Sequence, residues 1–80
     1  MGNPKGWEKI RRDEWNNMYK DTTLKIIELY VGESPYMIKL SIDGIETFAR
    51  DLDTYYDSYK EAKKEALEWM RRHTKGDISW

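Results

Sequence analysis

The chain has 80 residues, with 14 Lys and Arg against 15 Asp and Glu, a formal net charge of −1, one histidine and no cysteine. That length makes one domain, 1–80, near the size at which a single apolar core leaves only a few kcal/mol of net stability; disulfides, thiolate metal sites and His-rich zinc sites are excluded. The near-neutral balance is not the strongly basic footprint of a dedicated nucleic-acid binder.

The four Trp and six Tyr bring large apolar area per side chain, one way for a short chain to build a core. Charged residues reach 36% while glutamine is absent, a composition that fits a thermophile relying on surface ion pairs. Charge is uneven along the chain: both ends are mildly basic, and Asp43, Glu46, Asp51, Asp53 and Asp57 concentrate in the middle. The N-terminus lacks an apolar leader and no stretch approaches the roughly 20 apolar residues of a membrane span. A cytoplasmic protein without membrane contact is expected, with residues 1–5 and 75–80 flexible.

In chain order, Gly6 to Arg12 and Trp15 to Lys20 read as two short strands about Arg12-Asp13-Glu14, or as one long bent strand. Thr23 to Val31 is a further strand, with Leu24, Ile26 and Tyr30 on one face and Ile27, Leu29 and Val31 on the other. A strand apolar on both sides belongs in the middle of a sheet covered on both faces. Gly32-Glu33-Ser34-Pro35 is turn chemistry.

Tyr36, Ile38, Leu40 and Ile42 then alternate with Met37, Lys39 and Ser41, the pattern of a half-buried strand. Asp43-Gly44 predicts a type I′ hairpin that sets Ile42 opposite Ile45, Leu40 opposite Thr47 and Ile38 opposite Ala49. Opposed residues share a face, so Met37, Lys39 and Ser41 share the other face with Glu46, Phe48 and Arg50. The only Phe of the chain is thereby turned away from the helix side.

From Ser58 to His73 the period changes to that of a helix. Ser58-Tyr59-Lys60-Glu61 fits a capping box, and Tyr59, Ala62, Ala66, Trp69, Met70 and His73 form one stripe with Lys63 and Leu67 on its margin. Arg71, Arg72 and His73 oppose the negative end of the helix dipole, and Gly76 offers a stop. The predicted fold is α+β: an antiparallel sheet of three to five strands with one C-terminal amphipathic helix packed on one face.

Motifs for catalysis are sparse. There is no glycine-rich phosphate loop and no G-x-S-x-G, and the one His sits in the helical stripe. Asp51-Leu52-Asp53 with Asp57 has the donor type of a hard-cation site, but Asp is equally at home at strand exits and before helices. Tyr55, Tyr56 and Tyr59 suit packing at the helix entry better than base stacking.

The candidate binding surface is Met37, Lys39, Phe48 and Arg50. An aromatic flanked by cations can stack a base beside phosphates, and the same residue types are enriched at protein interfaces. Alternatively, the N-terminal segment with Trp7 and Trp15 folds across this face and buries it.

The second half, from Tyr36 to Met70, with its hairpin turn, capping box and Glu-Ala pairs, resembles several small sheet-then-helix families. It is similar to short uncharacterised archaeal and viral proteins, to HicB-type antitoxins, and to plant ethylene-response and integrase arm domains that read DNA through a three-stranded sheet. Their proline-rich strand exit and most of their exposed arginines and tryptophans are missing here. The resemblance implies the fold more than a function. The expected role is a non-enzymatic interaction domain, a homo-oligomer or protein binder, with DNA or other nucleic acid on the same face as the alternative. No cofactor, metal or small-molecule substrate is implied.

Overall fold

Alternation along two strands decides which side of the sheet becomes core. Leu24 and Ile26, and Ile38 and Leu40, are buried, while the residues between them are not. The computed structural model describes residues 3–30, 32–33 and 35–78. Within them lie β1 (Trp7–Arg11), β2 (Glu14–Asn17), β3 (Thr22–Glu28), β4 (Tyr36–Ile42), β5 (Ile45–Thr47), β6 (Tyr55–Tyr56) and α1 (Tyr59–Arg72). The strands are antiparallel in the order β1-β2-β3-β4-β5, with two-residue β6 also paired to β4. The expected α+β architecture is the one observed.

The first two strands are separate and form a hairpin, turned by Arg12-Asp13 with Asp13 at φ 59°. Trp15 pairs with Leu24, and Leu24 with Leu40, so all three face the same side. Trp7 lies on that side too, edge-on to Trp69 of α1 with ring centroids 6.0 Å apart. Thus Trp7 and Trp15 extend the helix-side core and do not cover the opposite face. β3 is central as its sequence suggests, yet no described element covers its second side, where Ile27 is half-buried among its neighbours. Tyr30 leaves the strand pattern altogether, exposed and left-handed at φ 62°. Val31 and Ser34 lie outside the described residues.

The β4–β5 turn has both central residues at positive φ, Asp43 at 53° and Gly44 at 81°, as a type I′ hairpin requires. Ile42 faces Ile45 and Leu40 faces Thr47, the register expected from the sequence. The expected Ile38–Ala49 pair does not form. After Thr47 the chain leaves the edge of β4, and the Ile38 amide donates to Thr54 O at 2.9 Å as β6 takes over the pairing. Buried Ala49 is still directed at the core.

Ser58 is the N-cap of α1, extended at φ −137° and accepting from the Glu61 amide at 3.1 Å. Ala62 and Ala66 bring the helix close to the sheet, and Trp69 and Met70 fill the space beyond them. Each of the two large side chains contributes about 1.5–3 kcal/mol on burial. At the other end the Trp7 indole N–H reaches Met70 O (3.1 Å) and His73 O (3.0 Å), adding a side-chain donor to carbonyls that also accept from the His73 and Gly76 amides.

The chain after the helix is tied down by the same edge of the sheet. Asn17 Nδ2 donates to Thr74 O at 3.0 Å, Thr22 Oγ1 donates to Gly76 O at 3.0 Å, and Lys20 pairs with Asp77. Residues 75–78, expected to be flexible, are therefore anchored by hydrogen bonds and by Ile78 on the core. Near the other end, Pro4 is buried and its carbonyl accepts from the Trp7 amide at 3.0 Å. Trp80 lies outside the described residues.

Gly6 marks how tight this closure is. Its φ is 87°, and a Cβ built there would stand 2.0 Å from Thr74 O. Gly6→Ala is expected to be among the most destabilising single changes, by more than about 2 kcal/mol, because strain and a backbone clash add. Trp7→Phe removes the indole N–H and part of a buried ring, while Met70 O and His73 O keep the His73 and Gly76 amides; a cost of about 1–3 kcal/mol is expected from the lost bonds and lost packing together. Urea unfolding midpoints of the two variants, at unchanged slope, check both values.

Candidate functional site

Three rows cross the face of the sheet opposite α1. In the first, Ile27 pairs with Met37 and Met37 with Tyr55. In the second, Glu14 pairs with Lys25 and Lys25 with Lys39. In the third, Glu8, Asn16, Thr23, Ser41 and Glu46 follow one another across five strands, and Thr23 Oγ1 donates to Asn16 Oδ1 at 3.1 Å.

Of the four residues expected to make the surface, Met37 and Lys39 are placed on this face by β4. Phe48 follows β5, outside the ladder and 58% exposed. Arg50 is exposed in the turn at 50–51 and occupies no ladder position. Register thus joins Met37 and Lys39, while Phe48 and Arg50 sit on the excursion between β5 and β6. Sequence reasoning missed Ile27, Lys25 and Tyr55, because their proximity to Met37 and Lys39 depends on which strands neighbour β4. Only the β4–β5 turn announces a pairing from sequence.

The electrostatics of the face are uneven. Lys25 and Lys39 stand directly opposite each other, an arrangement that is destabilising between neighbouring strands. Glu14 sits beside Lys25 in register but is 3.5 Å from Arg11, its i−3 neighbour. Glu8 and Glu46 close the ends of the third row. The face therefore carries an apolar row, a cationic centre and carboxylates at its margins.

The Asp51 carboxylate, a candidate cation ligand from sequence, has other partners. Trp69 Nε1 donates to its Oδ1 at 2.8 Å, and His73 Nε2 is 2.7 Å from its Oδ2. The His73 ring is stacked on Trp69 with centroids 4.2 Å apart. Among the described residues no group of three or more His, Asp or Glu is arranged to hold a metal. Nor is any described helix long and apolar enough to cross a membrane.

Comparison of the chain with models of known families, with curated proteins and with solved structures finds no match.

Burial pushes the Asp51 carboxyl up, but hydrogen bonds from Trp69 and His73 and the charge of His73 outweigh it and hold the pKa below the usual 3.8. A depressed folded-state pKa means a stabilising contribution present above the unfolded-state value and lost as pH falls through the folded one. Asp51→Asn retains an acceptor for Trp69 but removes this titration. Urea midpoints of wild type and variant, measured in a pH series, are expected to differ most near neutrality and to converge below about pH 4.

Proposed function

We propose that the domain acts by association through the open face of its sheet, with a second copy of the chain as its partner and no catalytic step. The observation that supports this reading above the others is the row Ile27–Met37–Tyr55, continuous across three strands on a face that no described element covers. Aromatic residues and Met are enriched where proteins meet, and a small domain rarely leaves such a row in water without use. Phe48 adds exposed aromatic area on the excursion between β5 and β6.

The pattern of charge supports a second copy over other partners. A two-fold axis displaced from the Lys25–Lys39 pair would set the cations of one copy against Glu8, Glu14 or Glu46 of the other, whereas an axis through the pair would oppose like charges. Nucleic acid on this face is the second reading, favoured by the Lys25–Lys39 pair, whose mutual repulsion a phosphate would relieve. Three carboxylates on the same face oppose it.

Light scattering over a concentration series tests the proposal. Wild type is expected to pass from monomer to dimer, and Met37→Asp and Phe48→Ala are each expected to weaken the dimer about tenfold or more, the equivalent of about 1.4 kcal/mol. A monomer at every concentration, or a dimer that neither variant weakens, would overturn the assignment.

A further inference from the structure

A second surface lies on the helix side, and its chemistry is different. At 100° per residue, Lys60, Lys63, Lys64 and Arg71 fall with Leu67 on one flank of α1, and Glu61, Glu65 and Glu68 gather toward the other. The cationic flank faces the β1–β2 hairpin. Tyr59, Lys60, Lys63, Lys64, Leu67 and Arg71 line an open groove of about 440 Å³. A second hollow shares Lys63, Leu67 and Arg71 with it and adds Asn3, Pro4, Lys9 and Trp15.

The floor of this groove is fixed. Trp15 is 2% exposed, with Lys9 Nζ 5.6 Å from its ring centroid, and Lys63 Nζ stands 5.9 Å from the centroid of Tyr59. The Tyr59 hydroxyl donates to the Asp13 carboxylate, and burial together with that bond pushes its pKa up to about 12. Asp13 stands at the Tyr59 end and Glu68 on the outer ridge of the helix. Among the described residues, none of Lys9, Lys60, Lys63, Lys64 and Arg71 is in an ion pair. Five cations outside any ion pair, spread over two adjoining hollows with Glu61 and Glu65 beside Lys60 and Lys64, are a concentration of one sign on a chain of net charge −1.

We infer that this groove binds the phosphate backbone of a DNA duplex without reading its sequence. Lys60 to Arg71 spans about 16 Å along the helix at 1.5 Å per residue, enough for several successive phosphates. An acidic peptide is the competing ligand, since Tyr59 and Leu67, with Pro4 and Trp15 in the adjoining hollow, supply apolar surface, but the row of cations along the helix favours a continuous run of phosphates. Single strands would look for exposed aromatic faces, but Trp15 is closed and Tyr59 lies under Lys63. Duplex RNA is recognised partly through its 2′-hydroxyls, and Asn3 is the one amide side chain lining the groove.

Binding of a short mixed-sequence DNA duplex, followed by anisotropy across a salt series, tests the assignment. If all five cations meet phosphates, log K falls against log salt with a slope of about −4.5, a loss of about 500-fold for a fourfold rise in salt. The exposed pair Lys60→Gln with Lys64→Gln is expected to reduce the slope to about −2.7 and the loss to about 40-fold, for any sequence. Lys25→Gln with Lys39→Gln, on the opposite face, is expected to leave both unchanged. Absence of salt-dependent binding overturns the inference, as does a slope lowered by the sheet-face pair and not by the helix pair. Tighter binding of duplex RNA, or equal competition by polyglutamate, overturns the choice of DNA. A duplex too short to bridge two copies keeps these outcomes independent of the dimer, whose open-face residues Lys25 and Lys39 lie on the other side of the sheet.

Discussion

The bond pair from the Trp7 indole to Met70 O and His73 O joins the first strand to the end of the helix, across more than sixty positions of an 80-residue chain. The His73 and Gly76 amides serve these two carbonyls, and the indole N–H adds a donor from the far end of the chain while its ring packs edge-on against Trp69. Everything at that end of the molecule follows from it. Gly6 has to approach Thr74 closely to deliver Trp7, and Asn17 and Thr22 take the next carbonyls of the chain as it leaves the helix. The aromatic content of this short chain is therefore spent on closure between its two ends as much as on core volume.

That closure also explains what could be read from sequence and what could not. Asp43-Gly44, the period-two pattern of Tyr36 to Ile42 and the Ser58 cap are local signals, each carried by a few adjacent residues, and each reappears in the structure. The side chosen by Trp7 and Trp15 is not local. It is set by Trp15 pairing with Leu24 across a hairpin whose turn, Arg12-Asp13, has no standard signature. The handover from β5 to β6 is equally silent, since Phe48 and Arg50 alternate as well as any strand does. The ladder ends where Tyr55 and Tyr56 return to β4 and take over its pairing.

The candidate surface was partly legible for the same reason. Met37 and Lys39 are recoverable because β4 alternates cleanly, whereas Ile27, Lys25 and Tyr55 join them only through the order of the strands. The cations of the groove were visible as helix residues, with Lys63 and Leu67 on the margin of the buried stripe. Their meaning depends on where the hairpin lies, because Lys9 and Trp15 supply the opposite wall.

A formal charge near zero conceals this separation. Net charge governs solubility and long-range steering of the whole molecule, but a ligand at contact distance meets the local field, which decays over about 10 Å at ordinary salt. The acidic flank, with Asp53, Glu61 and Glu65 near Tyr56, helps push that phenol up to about 12, after the larger effect of burial. The cationic flank adjoins it, with Lys60 and Lys64 bordering Glu61 and Glu65. Two copies joined through their open sheet faces would carry their helices outward, with the cationic grooves on opposite sides of the sandwich. Such a dimer could not lay both grooves on one stretch of duplex, so pairing would add avidity only by bridging two separate segments.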